Sequence, residues 1–171
     1  MIRSATIADA EAIARVDLDA HIEAYRPIFG DEDMASVSME ETAEHWRILL
    51  GKQSPIEHEP DEVLVAERDG TIVAYSGIGP SGDADGSGCG EVFTLYVHPS
   101  AWRSRVGARL LGAAVGRLRQ RGFADITLWV LDANERAQAF YQAQGWTPDG
   151  GTRPSRHAPH HHFRYRAPAP P

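Results

Sequence analysis

NERAQAFYQAQGW, residues 134–146, opens on a residue suited to capping a helix and stops at a glycine followed by an aromatic. An asparagine side-chain oxygen can accept from the unpaired amides of a first helical turn. A glycine just past the last turn takes the left-handed conformation that ends a helix. Between these ends, Ala137, Phe140, Tyr141 and Gln144 recur at spacings of three and four, so they share one face. The stretch predicts a short amphipathic helix with Tyr141 on its apolar side. Tyr141 is then either one more core aromatic or the group that does chemistry.

Working outward, ITLWVL (126–131) is a continuous apolar run, the pattern of a strand buried on both faces. Before it, Val106–Gln120 carries Leu111, Val115 and Leu118 on one side and reads as a helix with Gly122 just past its end. EVFTLYV (91–97) is a strand. VLVAERDGTIVAYSGIG is a hairpin whose Asp69-Gly70 pair suits a tight turn. Nearer the N-terminus, a strand over Ile2–Ala5 precedes a helix bearing Ile13, Val16, Ala20 and Ala24, with Asp9 as its cap. A second helix spans Met39–Leu50, and HHHFRYRA forms a final strand. Hairpins followed by a strand–helix–strand unit predict a mixed α/β sheet flanked by helices.

The 171 residues predict one domain over residues 1–166, with a disordered Pro-rich tail at 167–171. Hydrophobic content of 42% and charged content of 24% are ordinary for a soluble globular protein. A formal charge of −7 argues against nucleic acid or an anionic membrane as partner. The single cysteine, Cys89, excludes an intrachain disulfide and a thiolate zinc cluster. Neither a signal peptide nor an apolar run of membrane-spanning length is visible, so a cytoplasmic location is expected.

The second informative stretch is LYVHPSAWRSRVGARLL (95–111), a strand running through a short loop into a helix. The first amides of that helix are unpaired and sit at the positive end of its dipole, a setting for a phosphate or pyrophosphate. Arg103 and Arg105 would add charge, and the Ser104 hydroxyl a donor. The bland alternative is a solvated surface turn.

Together these residues resemble the GNAT superfamily of acyl-CoA-dependent N-acyltransferases. Its pattern Asn-x-x-Ala-x-x-Phe-Tyr-x-x-x-Gly-(Phe/Trp) is complete in Asn134, Ala137, Phe140, Tyr141, Gly145 and Trp146. Its pyrophosphate loop, (Gln/Arg)-x-x-Gly-x-(Gly/Ala), is matched at Gly107 but departs at Trp102 and Arg105. The resemblance covers residues 63–146 and implies a GNAT-like central mixed sheet of about six to seven strands, splayed between strands four and five.

It further implies acetyl-CoA as co-substrate and no metal. The main chain of Leu95, Tyr96 and Val97 would pair with the pantetheine arm, which Asn134 meets from the other side. Residues Arg103, Ser104, Arg105, Val106, Gly107 and Ala108 would cradle the pyrophosphate, with Ala137 and Phe140 beside the arm. Tyr141 would be the general acid at the thioester sulfur. Glu91 would be the base for the amine, on a strand face shared with Phe93, Leu95 and Val97 by period-two alternation. A primary amine, of a small molecule or a peptide, is the implied acceptor, and a homodimer is a family-level expectation. A non-catalytic acyl-CoA sensor or interaction domain of the same fold is the alternative, and Trp102 and Arg105 argue for an interaction domain that has lost the coenzyme.

The acceptor side would be shaped by Tyr25–Ser38 and Asp149–His162. Asp31, Glu32 and Asp33 would suit a cationic amine or simply be a solvated loop. The histidines at 157 and 160–162 lack the spacing of a zinc site and read as a structural or exposed cluster. Asp83–Gly86 is only a fragment of a calcium loop.

Overall fold

Apolar residues on β2 (Glu62–Arg68) divide between two cores, and that division organises the molecule. Val63 and Val65 pack with one helical layer, Leu64 and Ala66 with the other. A computed structural model describes residues 1–30, 38–51 and 59–169. Among them are seven strands in one sheet, ordered β1-β2-β3-β4-β5-β7-β6. The other strands are β1 (Ile2–Ser4), β3 (Thr71–Pro80), β4 (Gly90–Val97), β5 (Ile126–Leu131), β6 (Thr147–Pro154) and β7 (His161–Arg166). The β4–β5 pair is parallel and the remaining pairs are antiparallel.

On one face lie α1 (Ala10–Phe29) and α2 (Met39–Gly51), whose Ile13, Val16, Trp46 and Leu49 cover Val63, Val65 and Tyr75. On the other lie α3 (Val106–Gln120) and α4 (Glu135–Ala143), whose Leu110, Leu111, Leu118 and Tyr141 cover Ile78, Val92, Ile126 and Leu128. The mixed sheet with helices on both faces is the architecture expected above. Local signals also hold. Asp69 and Gly70 take φ of 52° and 76° in the β2–β3 turn. Gly122 and Gly145 take φ of 95° and 82° at the ends of α3 and α4. In both, the next residue's amide bonds back five residues, Phe123 to Leu118 and Trp146 to Tyr141.

One expectation is corrected. Asp9 does not cap α1 through its side chain. Its carboxylate instead accepts from the Thr6 amide at 2.7 Å and from both terminal nitrogens of Arg3 at 2.7 and 2.8 Å. Residues Thr147–Pro154, to which the sequence assigned no element, form a strand despite Pro148, Gly150, Gly151 and Pro154, since an edge strand tolerates proline. The tail is tied down at its start, since the Ala167 amide donates to Ile126 and the Pro168 carbonyl accepts from Arg119. Asp31, Glu32 and Asp33 lie outside the described residues.

The Arg3 pairing with Asp9 and Glu67 joins β1, β2 and the start of α1. Hydrogen bonds from Arg3 hold the Asp9 carboxyl below the ordinary carboxylate range. Its contribution is therefore present above the unfolded-state value of about 4 and is lost as pH falls below it. Asp9→Asn is expected to lower stability at pH 7 and to flatten the acid limb of a melting-temperature-versus-pH curve. An acid limb identical to wild type would exclude this pairing as a source of acid lability.

Candidate active site

The two parallel strands are paired only at their start. Gly90 and Glu91 of β4 oppose Ile126 and Thr127 of β5, and no further rung follows. Beyond that point the strands part, and a cavity of about 810 Å³ opens between Val92–Val97 and Trp129–Leu131. On β4, the His98 amide bonds to Val73 of β3. Period-two alternation then turns the Tyr96 main chain toward β3 and the main chains of Leu95 and Val97 toward the gap. Of the three residues expected to offer main-chain groups there, two do so and Tyr96 does not. The Val97 carbonyl is already taken by the Trp102 indole N–H at 2.7 Å, which leaves the Leu95 groups and the Val97 amide.

One end of the cavity is the start of α3. The first rung of its ladder is the Arg109 amide on the Arg105 carbonyl, so the amides of Val106, Gly107 and Ala108 precede it. A Cβ on Gly107 would stand 3.3 Å from Val97 Cγ2 and 3.5 Å from the Phe140 ring, so glycine keeps this corner open. Arg103 and Arg105 both have positive φ, 61° and 64°. Arg105 thus adopts the backbone that glycine takes readily. Trp102 pins the loop to β4 and carries the Arg136 guanidinium 3.8 Å above its ring. Arg103, Arg105 and Arg136 all line the cavity. Ser104 does not: its hydroxyl donates to the Ala101 carbonyl and its one proton is engaged.

A positive-φ arginine costs roughly 1 kcal/mol relative to glycine, partly offset by glycine's greater freedom when unfolded. Arg105→Gly is expected to melt no lower than wild type while binding a coenzyme polyphosphate up to about fivefold more weakly, the worth of one exposed charge contact. A melting temperature several degrees lower would mean the arginine side chain itself holds the loop.

The middle of the cavity is lined by α4. Asn134 caps that helix, its Oδ1 accepting from the Ala137 amide at 3.1 Å. Asn134, Ala137, Phe140, Tyr141 and Gln144 all line the cavity, as their shared face predicts. Tyr141 is 9% exposed, packed edge-on against Phe140. No hydrogen bond to its hydroxyl is found among the described residues. Burial, and then the nearby Tyr25, push this phenol above its ordinary value of 10. Tyr96 is shifted the same way by burial and by Tyr25. Three phenols, from α1, β4 and α4, therefore meet in one apolar space, and burial keeps those of Tyr96 and Tyr141 protonated.

Glu91 departs from its expected position. Ile78 opposes Val92 and Gly77 opposes Thr94, so β4 carries one extra residue, Phe93, at a bulge. The bulge resets the alternation: Val92, Leu95 and Val97 face α3, while Glu91 opposes Gly79 with its side chain toward the α1 face. Glu91 is 4% exposed, accepts from the Ser81 hydroxyl at 3.0 Å, and is not among the residues lining the cavity.

Several lining residues were not singled out from sequence. Tyr25 marked only the edge of an acceptor region, and Arg153 lay unnamed inside another. Trp129, within an apolar run, gave no separate signal. The Arg153 guanidinium lies 4.4 Å above the Trp129 ring. The histidines have structural partners: His157 stacks on Phe29 at 4.4 Å and His160 bonds Asp132 at 2.9 Å, while His162 lines the cavity. Asp83 and Asp85, the calcium-loop fragment, both pair with Arg164.

No described helix is long and apolar enough to cross a membrane. A family model described as "Acetyltransferase (GNAT) family" matches residues 19–146. An uncharacterized N-acetyltransferase of Bacillus subtilis, YuaI, is 27% identical over 145 residues, 83% of this chain and 77% of that protein. A mycothiol acetyltransferase of Stackebrandtia nassauensis is 35% identical over 96 residues, 53% of this chain. That match spans only 31% of the relative's length. Among solved structures, the PaiA N-acetyltransferase of Thermoplasma acidophilum in complex with coenzyme A superposes with a TM-score of 0.74. It is 20% identical, with 98% of this chain and 97% of that one covered. With its splayed parallel pair, its complete α4 motif and a family match over three quarters of its length, this chain belongs to the GNAT family of acetyltransferases.

Proposed function

We propose that the protein transfers an acetyl group from acetyl-CoA to a primary amine by direct attack in a ternary complex. The observation that carries this reading is that one cavity presents amides at the start of α3, main chain on β4 and the Tyr141 hydroxyl, all unpaired among the described residues. Residues there fit the coenzyme. Three arginines and the first amides of α3 suit a polyphosphate. The Leu95 groups and the Val97 amide suit an extended amide-bearing arm, in the manner of strand addition.

Acetyl-CoA would supply the activated acyl group; the chain supplies position and charge. The amine nitrogen forms a bond to the acyl carbon as the carbon–sulfur bond breaks, and sulfur leaves with the electron pair. Charge developing on the carbonyl oxygen is met by the Val97 amide. Tyr141 stabilises the leaving sulfur. A phenol above 10 giving its proton to a thiolate whose thiol has a pKa of about 8.5 runs uphill by at least ~2 kcal/mol, so its role is hydrogen-bond donation rather than full transfer. Tyr141 therefore acts as a donor to the leaving sulfur, and the proton released by the nitrogen is the one that finally neutralises the thiolate. Glu91 acts as base through intervening water, since its carboxylate stands off the cavity wall.

The test is to incubate the protein with acetyl-CoA and a panel of primary amines, following free thiol and N-acetylated product together. Equal amounts of both are expected with at least one class of amine. Coenzyme binding without turnover on any amine would instead support a non-catalytic sensor.

A further inference from the structure

We infer that the acceptor is a small amine that also carries a carboxylate, and that Arg153 on β6 binds this carboxylate at the α1-facing mouth of the cavity. The inference rests on the transferase reading above and names its substrate class. A net charge of −7 would suggest the opposite, an acceptor that is simply cationic. Yet none of the described residues lining the cavity is an aspartate or glutamate. The lining is aromatic and aliphatic apart from a few polar side chains, four arginines and one histidine. Three of those arginines sit at the starts of α3 and α4, where a polyphosphate is expected. The fourth is Arg153.

Trp129 alternates along β5 with Leu128 and Val130, which pack toward α3 and α4, so its indole turns to the α1 face. Its N–H donates to Asp83 at 3.2 Å, which fixes the ring. The Arg153 guanidinium lies on that ring, its plane held while its N–H groups stay available. Arg164, over the same indole, is committed to Asp83, Asp85 and Asp149, and Arg166 to Asp125 and Asp149. These pairings use the neighbouring carboxylates, and among the described residues none is left to pair with Arg153. Opposite Arg153 in register is His162, which lines the same cavity and has a buried Nδ1 without a hydrogen-bond partner. A planar fork held flat at the cavity mouth, with no acid of its own among the described residues, suits an oxyanion that arrives with the substrate.

The experiment compares each free amino acid with its own carboxamide as acceptor, for wild type and Arg153→Gln, by thiol release at pH 7. The carboxamide has the less basic amine and hence more of it deprotonated, so without carboxylate recognition it is the faster substrate. The expected result is the reverse: for at least one side-chain class the free acid leads by tenfold or more in kcat/KM. Arg153→Gln should abolish that lead without lowering acetyl-CoA affinity, and Arg153→Lys should restore part of it. In a second arm, N-acetyl amino acids and their amides are titrated into the CoA-loaded protein. The acids alone should bind, and not to Arg153→Gln. Turnover that favours carboxamides, or a lead that survives Arg153→Gln, overturns the inference while leaving the transferase reading intact. Acid binding in the second arm without turnover in the first upholds the subsite and overturns the transferase reading. No turnover together with no acid binding overturns the subsite.

Discussion

Tyr141→Phe is expected to lower kcat by roughly 10- to 100-fold while leaving acetyl-CoA affinity within about twofold of wild type. The ring is packed against Phe140 and phenylalanine keeps that packing. What is lost, on the mechanism proposed above, is a hydrogen-bond donor to a sulfur that becomes charged only as the reaction proceeds. A hydrogen bond to a charged group is worth about 1.5–3 kcal/mol, and each ~1.4 kcal/mol is a factor of ten in rate. Because the charge is absent in the ground state, the loss falls on kcat rather than on binding. The pH profile separates donation from proton transfer. Since burial keeps the phenol protonated, no Tyr141 ionisation should appear on the alkaline limb below pH 10. Unchanged kcat in the variant would remove Tyr141 from the mechanism.

Leu110→Ala carries the largest expected effect on stability. Leu110 is fully buried one turn into α3, the helix whose first amides line the end of the cavity proposed for the polyphosphate. A buried Leu→Ala costs about 3–5 kcal/mol, from lost burial and from the cavity left behind. For a chain of this length that is a fall of roughly 10 °C in Tm. The coenzyme contacts proposed here are main-chain groups and arginines, none of which the substitution removes. Saturating acetyl-CoA should therefore raise the variant's Tm by about as much as the wild type's. An unchanged Tm in the apo variant would mean that α3 is not anchored through this residue.

The features legible in sequence are those whose signal is periodic or conformationally unique. The α4 face, the glycines at its end and at the end of α3, and the Asp69-Gly70 turn needed no tertiary context. The features missed were set by neighbours. Edge strand β6 hides behind two prolines and two glycines, because β7 alone holds it. The bulge at Phe93 has no glycine or proline to announce it, yet it moves Glu91 to the other face of the sheet. Arg105 departs from the glycine of the loop pattern and leaves the loop's chemistry possible, and its backbone is left-handed, a form no side-chain signal announces. Arg153 became visible only when the carboxylates around it proved to be paired elsewhere.

The most direct test of the account is a thermal melt with and without acetyl-CoA, because transfer, acceptor choice and the role of Tyr141 all depend on the coenzyme occupying the gap between β4 and β5. A ligand at about 100 times its Kd adds ~2.7 kcal/mol to the native state. That corresponds to a rise of roughly 5–10 °C for this chain, and such a rise, reduced at high salt as arginine contacts require, is the predicted result. An unchanged Tm at millimolar acetyl-CoA would contradict the account and leave an interaction module that has kept the fold without its ligand.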